Sequence, residues 1–287
     1  MSDHSAGLKA RTTSDDHTAG PTARATSDRV HVSDGVQTFR PAGEPAVRLE
    51  HVSKQFNGRT VLDNLSFEIA AGRSFCLLGR SGTGKSVTLR HIIGLVRPDD
   101  GKVFVEGREI TSLTGRELSA MRKRMGFLFQ TAALFDSMTV GENVAFPLRR
   151  HTGLSDGEIR ERARQKLADV GLERDFNKMP ADLSGGMRKR AGLARAMALD
   201  PPILLVDEPS AGLDPITADE IDQLLVARKR AGTTLLVVTH NIPSARVVGD
   251  ELAVLNEGRI IAQGTAAELD RSDDPLVQAF MRSAGGG

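Results

Sequence analysis

The chain has 287 residues, and its 38 Lys and Arg nearly balance 37 Asp and Glu, leaving a formal net charge of +1. That balance gives no general reason to expect nucleic acid as a partner, and no apolar run approaches the length a bilayer crossing needs. The 39% hydrophobic and 26% charged contents are those of an ordinary soluble globular protein, with room for one large α/β domain or two small ones. Cys76 is the sole cysteine, so neither an internal disulfide nor a thiolate metal cluster can form, and inside an apolar run it reads as a small core residue.

Residues 1–45 are rich in Ser, Thr, Asp, Ala, Gly and Arg without a sustained period, and read as a disordered tail. The Ser, Thr and Arg would suit a transit peptide, but Asp3, Asp15, Asp16, Asp28 and Asp34 argue against one. Order is expected from Val47, where Val47-Arg48-Leu49-Glu50-His51-Val52 alternates as a half-buried strand should. Phe56-Asn57-Gly58-Arg59 reads as a turn, residues 61–69 alternate again, and Ala71-Gly72 turns the chain into the apolar run Ser74-Phe75-Cys76-Leu77-Leu78. The pattern predicts an antiparallel layer laid against an α/β core. Phe56 sits shortly upstream of that core, where an aromatic ring can stack on a base; position alone favours an ordinary packing residue.

Residues 79–86, Gly79-Arg80-Ser81-Gly82-Thr83-Gly84-Lys85-Ser86, fit G-x-x-x-x-G-K-[ST]. The glycines let the backbone wrap closely around an anion, and successive N–H groups form a nest for α- and β-phosphates. Lys85 brings a point charge to the β/γ bridge, and the Ser86 hydroxyl can ligate Mg²⁺. The context agrees: a buried strand precedes the loop, and residues 87–93 have helical spacing, placing the phosphates at a helix N-terminus.

Beyond that helix Asp99-Asp100-Gly101 reads as a turn, residues 102–106 as a strand, and Glu106-Gly107 as another turn. Met125-Gly126-Phe127-Leu128-Phe129 is an apolar run ending at Gln130, at the strand edge where α/β sheets place ligand groups; alone, Gln130 reads as a polar surface residue. Residues 131–183 predict a mostly helical insertion. In it Ser155 and Glu158 form a capping box, Ile159, Ala163, Leu167 and Val170 mark one helical face, and Gly171 ends it. Leu183-Ser184-Gly185-Gly186-Met187 precedes a helix expected over 188–199, with Ser184 as N-cap and glycines that leave N–H groups open to an anion. Arg188-Lys189-Arg190 reads as a solvated helix face.

Ile203-Leu204-Leu205-Val206 is the pattern of a strand buried on both faces, and Asp207-Glu208 emerge at its end. Asp207 can hold Mg²⁺, and Glu208 can accept the proton of an attacking water. Asp214-Pro215 opens a helix as N-cap and first-turn proline. Thr234-Leu235-Leu236-Val237-Val238 is a further buried strand closed by Thr239-His240, which makes His240 a γ-phosphate contact candidate, although a lone His is more often structural. Asn256-Glu257-Gly258 turns between two short strands, residues 265–282 carry helical patterns, and Ala284-Gly285-Gly286-Gly287 reads as a frayed end.

The order phosphate loop, Gln130, LSGGM at 183–187, LLVDE at 204–208, SAGLD at 210–214 and His240 resembles an ATP-binding cassette ATPase. The resemblance implies an α/β fold, a P-loop NTPase (RecA-like) core with an antiparallel β layer and a helical subdomain at about 131–183. It implies a cassette domain over 46–270 and a helical extension over 271–287. It assigns Phe56 to the adenine-stacking position, usually Tyr, and residues 79–86 with Thr88 to the nucleotide. It assigns Ser184, Gly185 and Gly186 to the signature that binds the γ-phosphate held by a second subunit. Asp207 takes the metal-site acid with Ser86 and Gln130, Glu208 the catalytic base, Asp214 the D-loop acid and His240 the switch histidine, with Lys85 and Gln130 also in the catalytic set; no essential position is missing.

Met187 stands where the signature usually has Gln, and LSGGMRKR, FQTAALFDSMTVGENVAFPLR and SDDPLVQAF are similar to the ATPase subunit of Mce-associated lipid importers. That resemblance implies ATP and Mg²⁺ as ligands, a head-to-tail homodimer, an integral membrane permease, an Mce-domain substrate-binding protein and no nucleic acid. It implies a peripheral place on the cytoplasmic face of the inner membrane, with Thr131-Ala132-Ala133-Leu134-Phe135 offering apolar area to the permease. A cassette for another substrate, such as amino acids, differs only in its partner. A cassette acting on DNA or ribosomes is disfavoured by the absence of a long coiled coil and of a basic excess, and a P-loop protein without turnover by the intact Asp207, Glu208 and His240.

Overall fold

The structure is a computed structural model and describes residues 43–282. The expected tail before residue 43 and the expected frayed end therefore lie outside the described residues. In chain order the elements are β1 (Val47–Phe56), β2 (Arg59–Ile69), β3 (Ser74–Leu78), α1 (Lys85–Ile92), β4 (Asp100–Val105), β5 (Arg108–Glu109), α2 (Gly115–Arg122) and β6 (Met125–Leu128). Next come α3 (Val140–His151), α4 (Asp156–Ala168), α5 (Gly185–Ala196), β7 (Ile203–Asp207), α6 (Pro215–Arg230), β8 (Thr234–Thr239) and α7 (Ile242–Val248). The chain closes with β9 (Glu251–Asn256), β10 (Arg259–Gly264), α8 (Ala266–Asp270) and α9 (Pro275–Arg282).

The strands form two sheets. An antiparallel sheet runs in the order β2-β1-β4-β5, and a six-stranded sheet in the order β10-β9-β3-β8-β7-β6. In the second, β6, β7, β8, β3 and β9 pair in parallel and β10 closes one edge antiparallel. Asn57-Gly58, Glu106-Gly107 and Glu257-Gly258 each carry two consecutive positive φ angles, the backbone of two-residue hairpin loops whose twist suits the flanking strands.

Strand periodicity then divides the core. Phe75 and Leu77 of β3, with Leu205 and Leu236, face the antiparallel layer and pack with Leu49, Leu65, Phe67 and Val103. Cys76 and Leu78, with Leu204, Val206, Leu235 and Val237, face the opposite way onto Leu193, Ile221, Leu225 and Ala245 of the helices. Every residue of β3, β7 and β8 is buried, as a parallel sheet covered on both faces requires. Cys76 is fully buried and its thiol is pushed up to about 12, first by burial, so it is the inert core residue its position suggests.

Between β6 and β7 the chain holds no strand: α3, α4 and α5 pack on one another, joined by two single-turn 3-10 helices. The Ser155–Glu158 capping box is present on α4, and a second one, Thr139 with Glu142, opens α3.

The Asp99-Asp100-Gly101 turn is corrected. Asp100 and Gly101 are already in β4, Asp100 pairing with Ser53 across an irregularity in β1. Gly101 has φ 86°, and a Cβ there would lie 2.4 Å from the carbonyl oxygens of Glu50 and His51. Glycine serves close backbone approach here rather than chain reversal. Gly101→Ala is expected to destabilise the fold by roughly 2–4 kcal/mol, from left-handed strain plus overlap with backbone atoms. Urea unfolding checks this: the midpoint should fall with an unchanged m-value.

Candidate active site

The parallel registers level the carboxyl ends of four strands. Leu128 pairs with Val206, Asp207 with Val238, and Thr239 with Leu78. Whatever follows those residues meets at one edge of the sheet: Gln130, Asp207-Glu208, His240 and the loop starting at Gly79.

The loop's glycines have distinct reasons. A Cβ on Gly79 would sit 2.6 Å from the Leu255 carbonyl oxygen, and one on Gly84, at φ 107°, would sit 2.8 Å from that of Val61. Gly82 has φ 82° and open space around it, so its glycine serves conformation and not packing. Lys85 is 5% exposed; its Nζ donates to the carbonyls of Gly79 at 2.8 Å and Arg80 at 3.1 Å, and lies 3.3 Å from Glu208 Oε1. Thr83 Oγ1 closes the loop on the Arg80 carbonyl. Arg80 and Ser81 stand exposed at its rim. Thr88, expected in the nucleotide set, is fully buried and its hydroxyl donates to the Gly84 carbonyl, inside the first turn of α1.

Two acids lie beside the loop. Asp207 Oδ1 accepts from Ser86 Oγ at 2.8 Å. Burial raises the Asp207 carboxyl above its ordinary range, partly offset by the Ser86 hydrogen bond and reinforced by the neighbouring Glu208 charge. Glu208 is 7% exposed, and its Oε2 lies 2.8 Å from Nδ1 of His240. The Glu208 carboxylate is thus held between the Lys85 ammonium and the His240 ring. Gln130 is exposed two residues beyond β6. Phe56 closes β1 and is 42% exposed, with the Lys54 ammonium 5.4 Å from its ring centre.

The signature turn is placed differently from expectation. Helix α5 starts at Gly185, not Arg188, with Ser184 as N-cap accepting from the Met187 N–H at 3.2 Å. Gly185 and Gly186 are its first turn, whose N–H groups have no partner within the helix. A Cβ on Gly186 would strike Thr217 Cγ2 at 2.2 Å, so packing against α6 requires that glycine. A Cβ on Gly185 would make only an ordinary 3.6 Å contact with Leu213, so packing within the chain does not demand glycine there. No hydrogen bond or ion pair joins 184–186 to the loop 79–86 among the described residues. Asp214 caps α6, accepting from the Ile216 and Thr217 N–H groups and the Thr217 hydroxyl, which holds its carboxyl below the usual range.

The ABC transporter family matches residues 62–211 of the chain. A probable ribonucleotide transport ATP-binding protein of Mycobacterium leprae is 43% identical over 237 residues, 82% of this chain and 68% of that protein. The chain belongs to the ABC transporter family. The intermembrane phospholipid transport system ATP-binding protein of Escherichia coli K12 is 39% identical over 236 residues, 82% of this chain and 88% of that one. A dimeric ATP-binding cassette solved in a post-hydrolysis state with ADP and Pi matches with TM-score 0.71 at 35% identity, over 76% of this chain and 98% of that one. The fold is accordingly that of an ABC ATPase, a P-loop NTPase core with an antiparallel sheet and helices, and the activity is ATP hydrolysis.

Two features of this ABC ATPase escaped sequence reasoning. The basic run after the signature is not uniformly a solvated face: Arg188 is exposed and Arg190 half-buried, but Lys189 is buried. Lys189 is 6% exposed and donates to the main-chain carbonyl of Glu208 at 2.8 Å, while Arg188 and Arg190 donate to the carbonyls of Leu183 and Val170. The second is an apolar groove of about 410 Å³ beside Gln130, with Phe127, Phe129, Phe135, Phe146 and Pro147 among its lining. Phe135 and Phe146 are 41% and 40% exposed, with ring centres 5.0 Å apart. Arg195 of α5 braces the preceding turn by donating to the carbonyls of Ala132 and Ala133, both at positive φ. Leu134, expected as contact area, is half-buried and packs on the core. The signal for Phe135 was present in the sequence; Phe146 lies too far along the chain to be joined to it without the fold.

Proposed function

We propose that this chain is the motor subunit of a lipid transporter, hydrolysing MgATP as a head-to-tail dimer and passing the resulting motion to a membrane-spanning permease. The observation that carries the cargo class is the 39% identity across 88% of the Escherichia coli phospholipid transport ATP-binding protein. A ribonucleotide cargo is the second reading, favoured by the name of the mycobacterial relative, of which the chain spans 68%. Among the described residues no helix is long and apolar enough to cross a membrane; in this reading a partner spans it and the chain sits on the cytoplasmic face. An Mce-domain protein is the accessory component this reading expects.

The residues suit a magnesium nucleotide. Ser86 and Asp207 present a hydroxyl and a carboxylate to each other, and Gln130 follows β6 at the same sheet edge. Among the described residues no three acidic, His or Cys side chains could cage an ion, which fits a cation that takes one or two protein oxygens and completes its shell with phosphates and water. Mg²⁺ bound there would neutralise charge on the β- and γ-phosphates. The chain's own groups do the rest. Main-chain N–H groups of 79–86 cradle the phosphates and Phe56 stacks on the base. Lys85 exchanges loop carbonyls for phosphate oxygens. Glu208 orients the attacking water and takes its proton, and His240 holds the far carboxylate oxygen. Ser184, Gly185 and Gly186 meet the nucleotide of the partner subunit, which accounts for a glycine at 185 that packing does not demand; Asp214 stands at the same interface.

The groove beside Gln130 is the permease contact in this reading. Phe135→Asp combined with Phe146→Asp is expected to leave the isolated chain folded and hydrolysing while abolishing its recovery with membranes, since both rings are exposed. Membrane sedimentation of the tagged chain tests it; undiminished recovery would contradict it. Leu134 is unsuitable for this test, because a charge there would enter the core.

A further inference from the structure

Lys189 has no role in the chemistry described above, yet it is the charged group most intimately placed on the Glu208 main chain. It lies one turn into α5 from Gly185 and is 6% exposed. Among the described residues its hydrogen-bond partner is the Glu208 carbonyl, to which it donates at 2.8 Å. Burying an ammonium is costly, and filling space would need only an apolar side chain. Burial pulls the Lys189 ammonium below its ordinary range, while the Asp207 and Glu208 charges act in the opposite sense.

The conformation it touches is itself unusual. Glu208 has φ 46°, a left-handed backbone that is disfavoured for a residue with a Cβ. Contacts from several elements hold it, among them the His240 main-chain N–H donating to Oε2 at 3.3 Å. The Glu208 N–H donates to the Val238 carbonyl at 2.9 Å, and the two carboxylate oxygens meet Lys85 at 3.3 Å and His240 at 2.8 Å. These come from the phosphate loop, β8 and the residue just after β8. The carbonyl accepts twice: from the Ala211 N–H at 3.3 Å within its own turn, and from Lys189 of α5, the helix whose first turn is the signature.

We infer that Lys189 is a positioning residue: by holding the Glu208 carbonyl it fixes the left-handed backbone that aims the carboxylate, and it ties that aim to the place of helix α5. The inference rests on Glu208 as the base and on the signature turn meeting the partner's nucleotide. When the dimer closes on that turn, a shift of α5 reaches the Glu208 carbonyl through the Lys189 side chain, so one subunit's contact with its neighbour's nucleotide tunes its own base.

The test is steady-state MgATP hydrolysis by the full-length chain carrying Lys189→Met, Lys189→Gln or Lys189→Arg, with thermal unfolding recorded for each. Lys189→Met is expected to lower kcat by roughly tenfold to a hundredfold, as small misplacements of a reacting group do. KM should stay within about twofold, the split that marks an interaction felt in the transition state. Lys189→Arg should recover most of the rate by restoring a cationic donor. Unchanged kcat in Lys189→Met overturns the inference, as does a rise in KM alone or a rate loss that Arg does not restore. Should Lys189→Met fail to fold, Lys189→Gln is judged by the same split. Glu208→Gln separates the two levels: normal turnover there removes the reading of the site, whereas lost turnover there with normal Lys189→Met removes only the role of Lys189.

Discussion

Glu208→Gln is expected to lower kcat for MgATP by about a hundredfold to ten-thousandfold, the range a general base contributes, while nucleotide binding survives. The change is nearly isosteric. An amide oxygen can still accept from Lys85, 3.3 Å away, and an amide N–H₂ can donate to Nδ1 of His240, 2.8 Å away; the one hydrogen bond forfeited is the 3.3 Å donation from the His240 main-chain N–H. What is lost is the basic oxygen that takes the water's proton. With ATP bound and unable to turn over, the dimer should remain closed, and sedimentation with saturating MgATP should show the doubled mass. A variant that stays monomeric under those conditions, or hydrolyses normally, contradicts both the base assignment and the shared-nucleotide dimer.

Lys85→Ala should have an effect of similar size by a different route. Removing the ammonium takes the donor from the Gly79 and Arg80 carbonyls and the buried cation from beside Glu208. It also removes the one fixed cation the loop offers to phosphate. Loss of a preorganised donor of this kind costs about a hundredfold to a thousandfold in kcat/KM. Here the loss should appear in nucleotide affinity as well, which titration calorimetry measures directly. Lys85→Arg should not restore it, because a planar five-donor group does not fit where a compact ammonium is 5% exposed between two carbonyls. Wild-type affinity in Lys85→Ala would remove Lys85 from the binding role.

The parts of this protein legible in the sequence are those whose meaning is local. A buried strand followed by a glycine-rich turn and a helix, or four apolar residues followed by two acids, carries its own context, so the places of Gly79, Lys85, Asp207, Glu208 and His240 along the sheet edge could be read residue by residue. Most of the misreadings share a cause: the deciding partner is distant. Asp100-Gly101 has the composition of a turn, and only the backbone of Glu50 and His51 makes it a strand with a needed glycine. Gly185-Gly186 hid the first turn of α5 because glycine is a poor helix former, although the Ser184 cap marked it. Lys189 belongs to a basic run that composition assigns to solvent; which of three neighbouring cations faces the sheet depends on how α5 docks. The groove draws on β6, the 129–135 segment, α3 and α5, and no window of sequence contains it.

The most direct measurement is affinity purification of the tagged chain from its own membranes in mild detergent, with mass spectrometry of the proteins and lipids that accompany it. The expected result is a membrane-spanning permease and an Mce-domain protein with bound lipid, all lost together when Phe135 and Phe146 are both replaced by Asp. A permease bringing nucleotide cargo and no lipid, or recovery with ribosomal or DNA-associated proteins alone, would contradict it.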